Sequence, residues 1–428
     1  MNKILLTSLL LGCASAGEGT FYNEDLSKKQ DLAVRRDLQR PDLKIEDLTE
    51  LPDLITYDLK TTDLFFPDLT VEDLSLPLDL TIPPELYIPS KIPKNPTFQL
   101  LGNYPTGYLP ISIVASDFDY DGNIDLAVAN NGERTVSVLV GNGNGTFKPQ
   151  VKYNLRYQPW KIVLLGNDIL TANANYNNLT HLGNQNGIFG TINIYPTQRS
   201  PFDVTVGDFN NDGLLDIVAV ASFDNGIAFH NGLNYSNYRF MPIGIDERAI
   251  VSCDWNDDGN LDIALTSGGL DDLIVAFGDG NGSFNNLVKY HAGHGVASAL
   301  NVDINNDSLE DIATANYNGN SVSIFKNIGN GVFQHDGNYS TDWQTRNVRK
   351  GDFNNDGYLD LVTANITGGT ASVLINRGNG IFNPAINYIA GNFVDSYDVA
   401  VGDFNNDGDD DFAVVNMRYS NVAVFINN

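Results

Sequence analysis

Between Pro96 and Asn428 the chain alternates short apolar runs with glycine- and asparagine-rich turns. The runs are four to seven residues long and rich in Val, Ile and Phe, which predicts strands rather than helices. Around Asp352 one strand enters an acidic loop and a second leaves it as Leu361–Asn365. A third follows at Ala371–Ile375, then a Gly378–Phe382 turn and a fourth strand around Ala385–Tyr388. The same unit recurs with loops DFDYDGNID from Asp117, DFNNDGLLD from Asp208, DWNDDGNLD from Asp254, DINNDSLED from Asp303, DFNNDGYLD from Asp352 and DFNNDGDDD from Asp403. From Asp208 onward the copies start 46 to 51 residues apart, whereas Asp117 and Asp208 are separated by 91, close to two periods. A worn copy fills that gap: Trp160–Leu165 and Asp168–Asn173 keep the flanking strands but lose the acidic loop. Seven four-stranded antiparallel units predict an all-β, seven-bladed β-propeller.

The ends of the repeat region support a closed ring. The last unit stops at its third strand, Val422–Ile426, while Pro96–Tyr104 aligns with the fourth strands that follow Gly331 and Gly380. The N-terminal strand is therefore expected to complete the last blade and remove the free edges of an open array.

Ahead of the repeats, residues 1–12 read as a signal peptide, with Lys3 before the short apolar run Ile4–Leu11. Leu10-Leu11-Gly12-Cys13 resembles a bacterial lipobox, which would lipidate Cys13; Ala14-Ser15-Ala16 offers ordinary signal-peptidase cleavage and a soluble secreted product. Within residues 13–95, the stretch from about Glu24 to Leu80 repeats Asp-Leu every five or six positions and is interrupted by prolines such as Pro41, Pro52 and Pro67. One leucine per repeat buries too little surface to offset chain entropy, so this segment is expected to be a disordered, partly extended tether. A small solenoid or partner-binding strip is the competing reading.

The formal net charge of −28 argues against nucleic acid as a partner, since phosphate neutralisation needs clustered Lys and Arg, and leaves the lipid as the expected membrane contact. With only Cys13 and Cys253, no disulfide is expected in the folded part. Bound divalent cations could staple an exported fold instead.

The acidic loops have the spacing for such a role. Side-chain oxygens at positions 1, 3, 5 and 9, with the carbonyl of position 7, are the expected ligands of calcium, which takes six to eight oxygens at roughly 2.3–2.6 Å. These positions are Asp117, Asp119, Asp121, Asp125 and Asn123 in the first loop, and Asp208, Asn210, Asp212, Asp216 and Leu214 in the next. Asp254, Asn256, Asp258, Asp262 and Asn260 follow, then Asp303, Asn305, Asp307, Asp311 and Leu309. The last two sets are Asp352, Asn354, Asp356, Asp360 and Tyr358, and Asp403, Asn405, Asp407, Asp411 and Asp409. Glycine at position 6 suits a sharp turn, but Ser308 replaces it in the Asp303 loop. About six structural Ca2+ sites are expected, with none in the worn copy. Asx turns without metal are the simpler alternative, opposed by the repulsion of carboxylates crowded into nine residues.

These loops, with strands such as Thr135–Phe147 (TVSVLVGNGNGTF), resemble the FG-GAP/VCBS repeat family over about Pro96–Asn428. The resemblance implies a calcium-binding propeller. Members of that family include integrin α heads, fungal lectins and domains attached to adhesins and polysaccharide-degrading enzymes, so it leaves the ligand open.

Candidate ligand surfaces are loops that depart from the repeat: Tyr157 and Trp160 with the insert Asn173–Asn178, and Trp343 beside Asp342 and Gln344. Packing aromatics in an eroded blade would look the same. Asn130, Asn173, Asn316, Asn365 and Asn416 recur after second strands and read as turn caps. No GxSxG, HExxH or P-loop is present; His291 and His294 read as a surface pair, and Cys253 as a small strand-end residue. The expectation is a monomeric, non-enzymatic module at the outer membrane or cell surface that binds a glycan or an extracellular or envelope protein. An envelope scaffold docking a partner, or an accessory domain of a polysaccharide-active enzyme, are the alternatives.

Overall fold

The computed structural model describes residues 96–232, 238–243, 247–391 and 395–428. The signal peptide, Cys13 and the Asp-Leu tether lie outside the described residues. The described chain forms seven four-stranded antiparallel sheets. The first strands of the blades are Pro110–Ser116, Lys161–Leu165, Pro201–Gly207, Glu247–Cys253, Val296–Val302, Thr345–Gly351 and Ser396–Gly402. They pack side by side around a central channel, blade one against blade seven.

Second and third strands are buried on both faces because each sheet is sandwiched between its neighbours. Asp360–Asn365 and Thr370–Leu374 are buried at every position. This is why they read as continuous apolar runs rather than as an alternation. Fourth strands form the outer edge and are mostly exposed, as in Phe333–Ser340.

Closure occurs as the two chain ends predict. Phe98–Pro105 pairs antiparallel with Asn421–Asn427, from Phe98 opposite Asn427 to Pro105 opposite Asn421, giving blade seven its fourth strand. Phe98 then enters the boundary between blades six and seven, with ring centroids 5.4 Å from Phe353, 5.3 Å from Tyr388 and 4.7 Å from Phe412. The same clasp recurs around the ring: Tyr104 meets Phe147, Tyr153 meets Phe189, Tyr290 meets Phe333 and Tyr339 meets Phe382. In each pair a fourth-strand tyrosine contacts a phenylalanine of the next blade.

The six acidic loops share one backbone. Position 4 is left-handed in every copy, from φ 56° at Asn306 to 63° at Asp257. Position 6 is left-handed too, at 82–88° in the five glycines and 70° at Ser308. Ser308 thus adopts the loop conformation against its steric preference.

Two outcomes follow from this packing. Phe98→Ala should destabilise the propeller by about 3–5 kcal/mol, the usual range for emptying a buried phenylalanine site, read as a lowered denaturation midpoint. Ser308→Gly should stabilise it by about 0.5–1 kcal/mol, because relief of left-handed strain outweighs glycine's added unfolded-state entropy. An unchanged or lower melting temperature for Ser308→Gly would show that the serine is not strained.

Candidate metal loops and central mouth

Within each acidic loop the short side chains fold inward onto the backbone. In the Asp208 loop the N–H of Asp212 donates both to Asp208 Oδ1, at 3.1 Å, and to Asn210 Oδ1, at 2.9 Å. Oxygens from positions 1 and 3 therefore converge on one point. Asp212 completes the cluster: its Oδ2 accepts from Asn210 Nδ2 at 3.0 Å and its Oδ1 accepts from the N–H of Leu214 at 2.9 Å. The loops from Asp254, Asp303, Asp352 and Asp403 repeat the shared N–H. In the first loop position 3 is Asp119, and carboxylate oxygens of Asp117, Asp119 and Asp125 lie within 4.8 Å of one another.

Position 9 behaves differently. Asp125, Asp216, Asp262, Asp311, Asp360 and Asp411 are completely buried. One oxygen accepts the N–H of position 2 at 2.9–3.1 Å. The other accepts an N–H at the end of the third strand or just beyond it. These aspartates tie loop to blade whether or not they also face a cation. Burial is the main reason their acidity is suppressed: Asp125 and Asp262 are pushed up to about 6, Asp311 and Asp411 to about 7 and Asp360 to about 8. Repulsion from nearby loop aspartates, such as Asp352 and Asp356 against Asp360, adds to the effect. A divalent cation would reverse that repulsion.

The position-7 residues Asn123, Leu214, Asn260, Leu309, Tyr358 and Asp409 each close an Asx turn through their N–H onto position 5. Neighbouring loops are also joined: Asn211 Nδ2 donates to Asn260 Oδ1, and Asn406 Nδ2 to Asn123 Oδ1, each at 2.8 Å.

The worn blade replaces its loop with a hairpin in which Leu165 pairs with Asp168. Asp168 still accepts the N–H of Asn184, at 2.7 Å, but its second oxygen meets His181 Nε2, at 2.8 Å, in place of a loop N–H.

The recurrent asparagines cap turns. Asn365 Nδ2 donates to Thr370 Oγ1 and Ser372 Oγ at 3.1 and 2.7 Å; Asn130 and Asn316 do the same in their blades, and Asn173 reaches Asn178 and Thr180. Asn416 instead reaches Ala390 O and Asn421 Oδ1. His294 bonds Asp271 and His291 bonds Asp272, so the two imidazoles have separate partners. Burial pushes the Cys253 thiol up to about 11, the opposite of nucleophile activation.

At the other end of the first strands lies a feature that strand-by-strand reading misses. Each blade contributes two consecutive residues to the channel mouth: Ile111–Ser112, Trp160–Lys161, Phe202–Asp203, Arg248–Ala249, Ala297–Ser298, Arg346–Asn347 and Tyr397–Asp398. The mouth as a whole leaves about 30 Å3, room for about one water at its floor, above a wider chamber of about 320 Å3. Asp398 holds that floor, accepting Ser112 Oγ at 2.8 Å and Arg349 at 3.3 Å, with Lys161 at 3.9 Å. Aligning the copies at the residue that opens each first strand would have exposed this ring.

The candidate ligand surface in blade two divides. Trp160 joins the mouth, edge-on to Phe202 at 5.3 Å, whereas Tyr157 sits 5.0 Å from Tyr176 of the insert, with Arg134 over Tyr176 and Arg156 over Tyr157. Trp343 is 66% exposed, its backbone N–H donating to Asp342 Oδ1.

A family profile described as the FG-GAP-like repeat matches residues 167–219, 303–363 and 352–414. No curated protein sequence matches the chain. Among solved structures, BBS1N in complex with ARL6DN is similar with a TM-score of 0.56 at 11% identity, covering 77% of this chain and 96% of that one. Virginiamycin B lyase from Staphylococcus aureus gives 0.55 at 12%, covering 77% and 99%. A functionally unknown protein from Desulfotomaculum acetoxidans gives 0.53 at 14%, covering 68% and 89%. At such identities the likeness concerns fold alone. Residues 96–428 form a seven-bladed β-propeller that carries FG-GAP-like repeats.

Proposed function

We propose that this chain is a non-catalytic binding module, stabilised by calcium in its six acidic loops and presenting its ligand face at the channel mouth. The observation that carries the metal reading is that oxygens of positions 1 and 3 meet on one N–H in every acidic loop, beside a buried position-9 carboxylate, and that in the first loop Asp117, Asp119 and Asp125 come within 4.8 Å of one another. Oxygen-only donors in a flexible loop suit Ca2+ better than Mg2+, which keeps its waters. Asp117, Asp119, Asp121, Asp125 and the Asn123 carbonyl would hold the ion in the first loop, and their counterparts would do so in the other five.

The metal role is structural. A seven-residue first strand such as Thr345–Gly351 puts roughly 20 Å between mouth and loop, so the ions act by fixing the blades and not by touching a ligand. Binding falls to the mouth because its side chains vary among blades whose strands are otherwise alike. A glycan is the preferred ligand class, since aromatic faces next to hydroxyl, amide and guanidinium groups match a sugar's apolar and polar surfaces. The Asp-Leu segment would hold the propeller away from a membrane to which lipidated Cys13 anchors it.

Calorimetric titration of metal-free protein should reveal about six calcium sites, and chelator should lower the melting temperature markedly, since each independent site at a hundredfold excess over Kd contributes about 2.7 kcal/mol. Melting that ignores chelator would overturn the metal assignment. Glycan-array binding by the calcium-loaded protein, lost in chelator, is the expected functional result; one co-purifying envelope protein with no glycan binding would favour a scaffold instead. Cys13→Ser should abolish fatty-acid labelling and move the protein out of the membrane fraction.

A further inference from the structure

Position 4 of each acidic loop lies between the residues expected to grip the cation from positions 3 and 5, and in four loops its side chain reaches the next blade. Asn211 donates from Nδ2 to Oδ1 of Asn260, position 7 of the following loop, and Asn406 donates likewise to Asn123, each at 2.8 Å. Asn355 Nδ2 donates to Asp409 Oδ1, again position 7. Asn306 Nδ2 donates to the carbonyl of Gly357, position 6, at 3.0 Å. All four amides sit on a left-handed residue, with φ between 56° and 61°.

Followed around the ring, these contacts make two arcs. One runs through the loops that start at Asp303, Asp352, Asp403 and Asp117, and the other joins those from Asp208 and Asp254. Each gap has a cause in the residues present. In the Asp254 loop position 4 is Asp257, a carboxylate with no N–H to donate. In the Asp117 loop it is Tyr120, 67% exposed, and the next blade is the worn one, which has a hairpin in place of an acidic loop. The links also touch the parts of the loop that matter for a cation. Carboxylates at positions 1, 3 and 5 repel until a cation draws them together, which fixes position 4 between them. A fixed amide there holds position 7 of the neighbour, whose carbonyl is an expected ligand. Ordering completed in one loop is then not required again in the next, which is positive coupling between two sites.

We propose that calcium binds cooperatively within each arc and independently between arcs, the four linked loops filling as one group and the Asp208 and Asp254 loops as another. This rests on the calcium reading above and adds which sites respond to one another. The size follows from the links. Each is one hydrogen bond, three between neutral groups and one from Asn355 to a carboxylate, so emptying a loop lowers a linked neighbour's calcium affinity by about twofold to tenfold. Reciprocity requires the same factor in the opposite direction. The arc of four straddles the seam at which Phe98–Pro105 completes blade seven, so filling it also secures the closing strand.

The test is hydrogen exchange of the full chain, read by mass spectrometry at each step of a calcium titration, which gives a protection midpoint for every loop. Asp403→Ala removes a position-1 ligand. It should raise the midpoints of the Asp352 and Asp117 loops by about twofold to tenfold and leave those of the Asp208 and Asp254 loops in place. Asn406→Gly deletes the linking amide and keeps a residue at ease with the φ of 61° found there. In that background Asp403→Ala should still move the Asp352 loop and no longer move the Asp117 loop, a double-mutant cycle on one link. Asn406→Gly changes one exposed side chain and by itself should raise the Asp117 midpoint by a similar factor, so it decides the matter if Asp403→Ala does not fold. Unmoved Asp352 and Asp117 midpoints in Asp403→Ala sink the proposal, as do equal shifts in all six loops or an unmoved Asp117 midpoint in Asn406→Gly. In those cases calcium-dependent protection of the loops leaves the metal reading standing; protection that ignores calcium in every loop removes both.

Discussion

A buried aspartate at the start of each second strand is the constraint on which the propeller depends. In the six intact copies its oxygens are shared between the loop, through the N–H of position 2, and the far side of the blade, through an N–H at or just beyond the end of the third strand. One side chain thus fixes the loop, the first hairpin and the third strand together. Position 2 carries the constraint outward. Phe353 is anchored by Asp360 through its N–H and packs its ring on Phe98 of the next blade, while Phe404, anchored by Asp411, meets Phe147 of blade one. Asn327, Asn376 and Asn427 add a return tie by donating to position-2 carbonyls of the preceding blade. Disturbing a loop therefore disturbs a blade boundary, which is why cations at the loops would bear on the stability of the whole ring.

Blade two shows how much of this arrangement the fold requires. It lacks the acidic loop, yet Asp168 remains, with His181 standing in for the missing N–H, and Asn184 still donates to Phe118 O of blade one. The aspartate and the interblade tie persist where the loop does not. The loop is an addition to the hinge between strands, and the buried carboxylate is the hinge itself. Burying six such groups without countercharge raises their proton affinity, a cost that a divalent ion bound at the loops would relieve.

The faces of the disc divide the work. Loops that hold the blades in register lie at the ends of the first strands, and the mouth lies at their beginnings. A rigid rim at one end leaves the residues at the other free to differ from blade to blade without loss of the fold.

The sequence alone determined the repeat, the number of blades, the strand that crosses from the front of the propeller to complete its last blade, and the backbone of the acidic loops. These depend on residues close together in the chain: an Asp-x-Asn-x-Asp-Gly run, a Gly-Asn-Gly-x-Phe turn, and a fourth strand missing at one end and present at the other. Even Ser308, the exception at position 6, follows the loop. Only the tertiary structure decided the mouth. Its residues run from Ile111 to Tyr397, one pair per blade, and Arg248 meets Phe202, and Arg346 meets Tyr397, across blade boundaries. Trp160 and Tyr157 are three residues apart in sequence, yet they serve different surfaces, because a strand start points one side chain into the channel while the preceding loop stays on the rim. Local spacing specifies a turn; which distant side chains share a cavity is set by closing the ring.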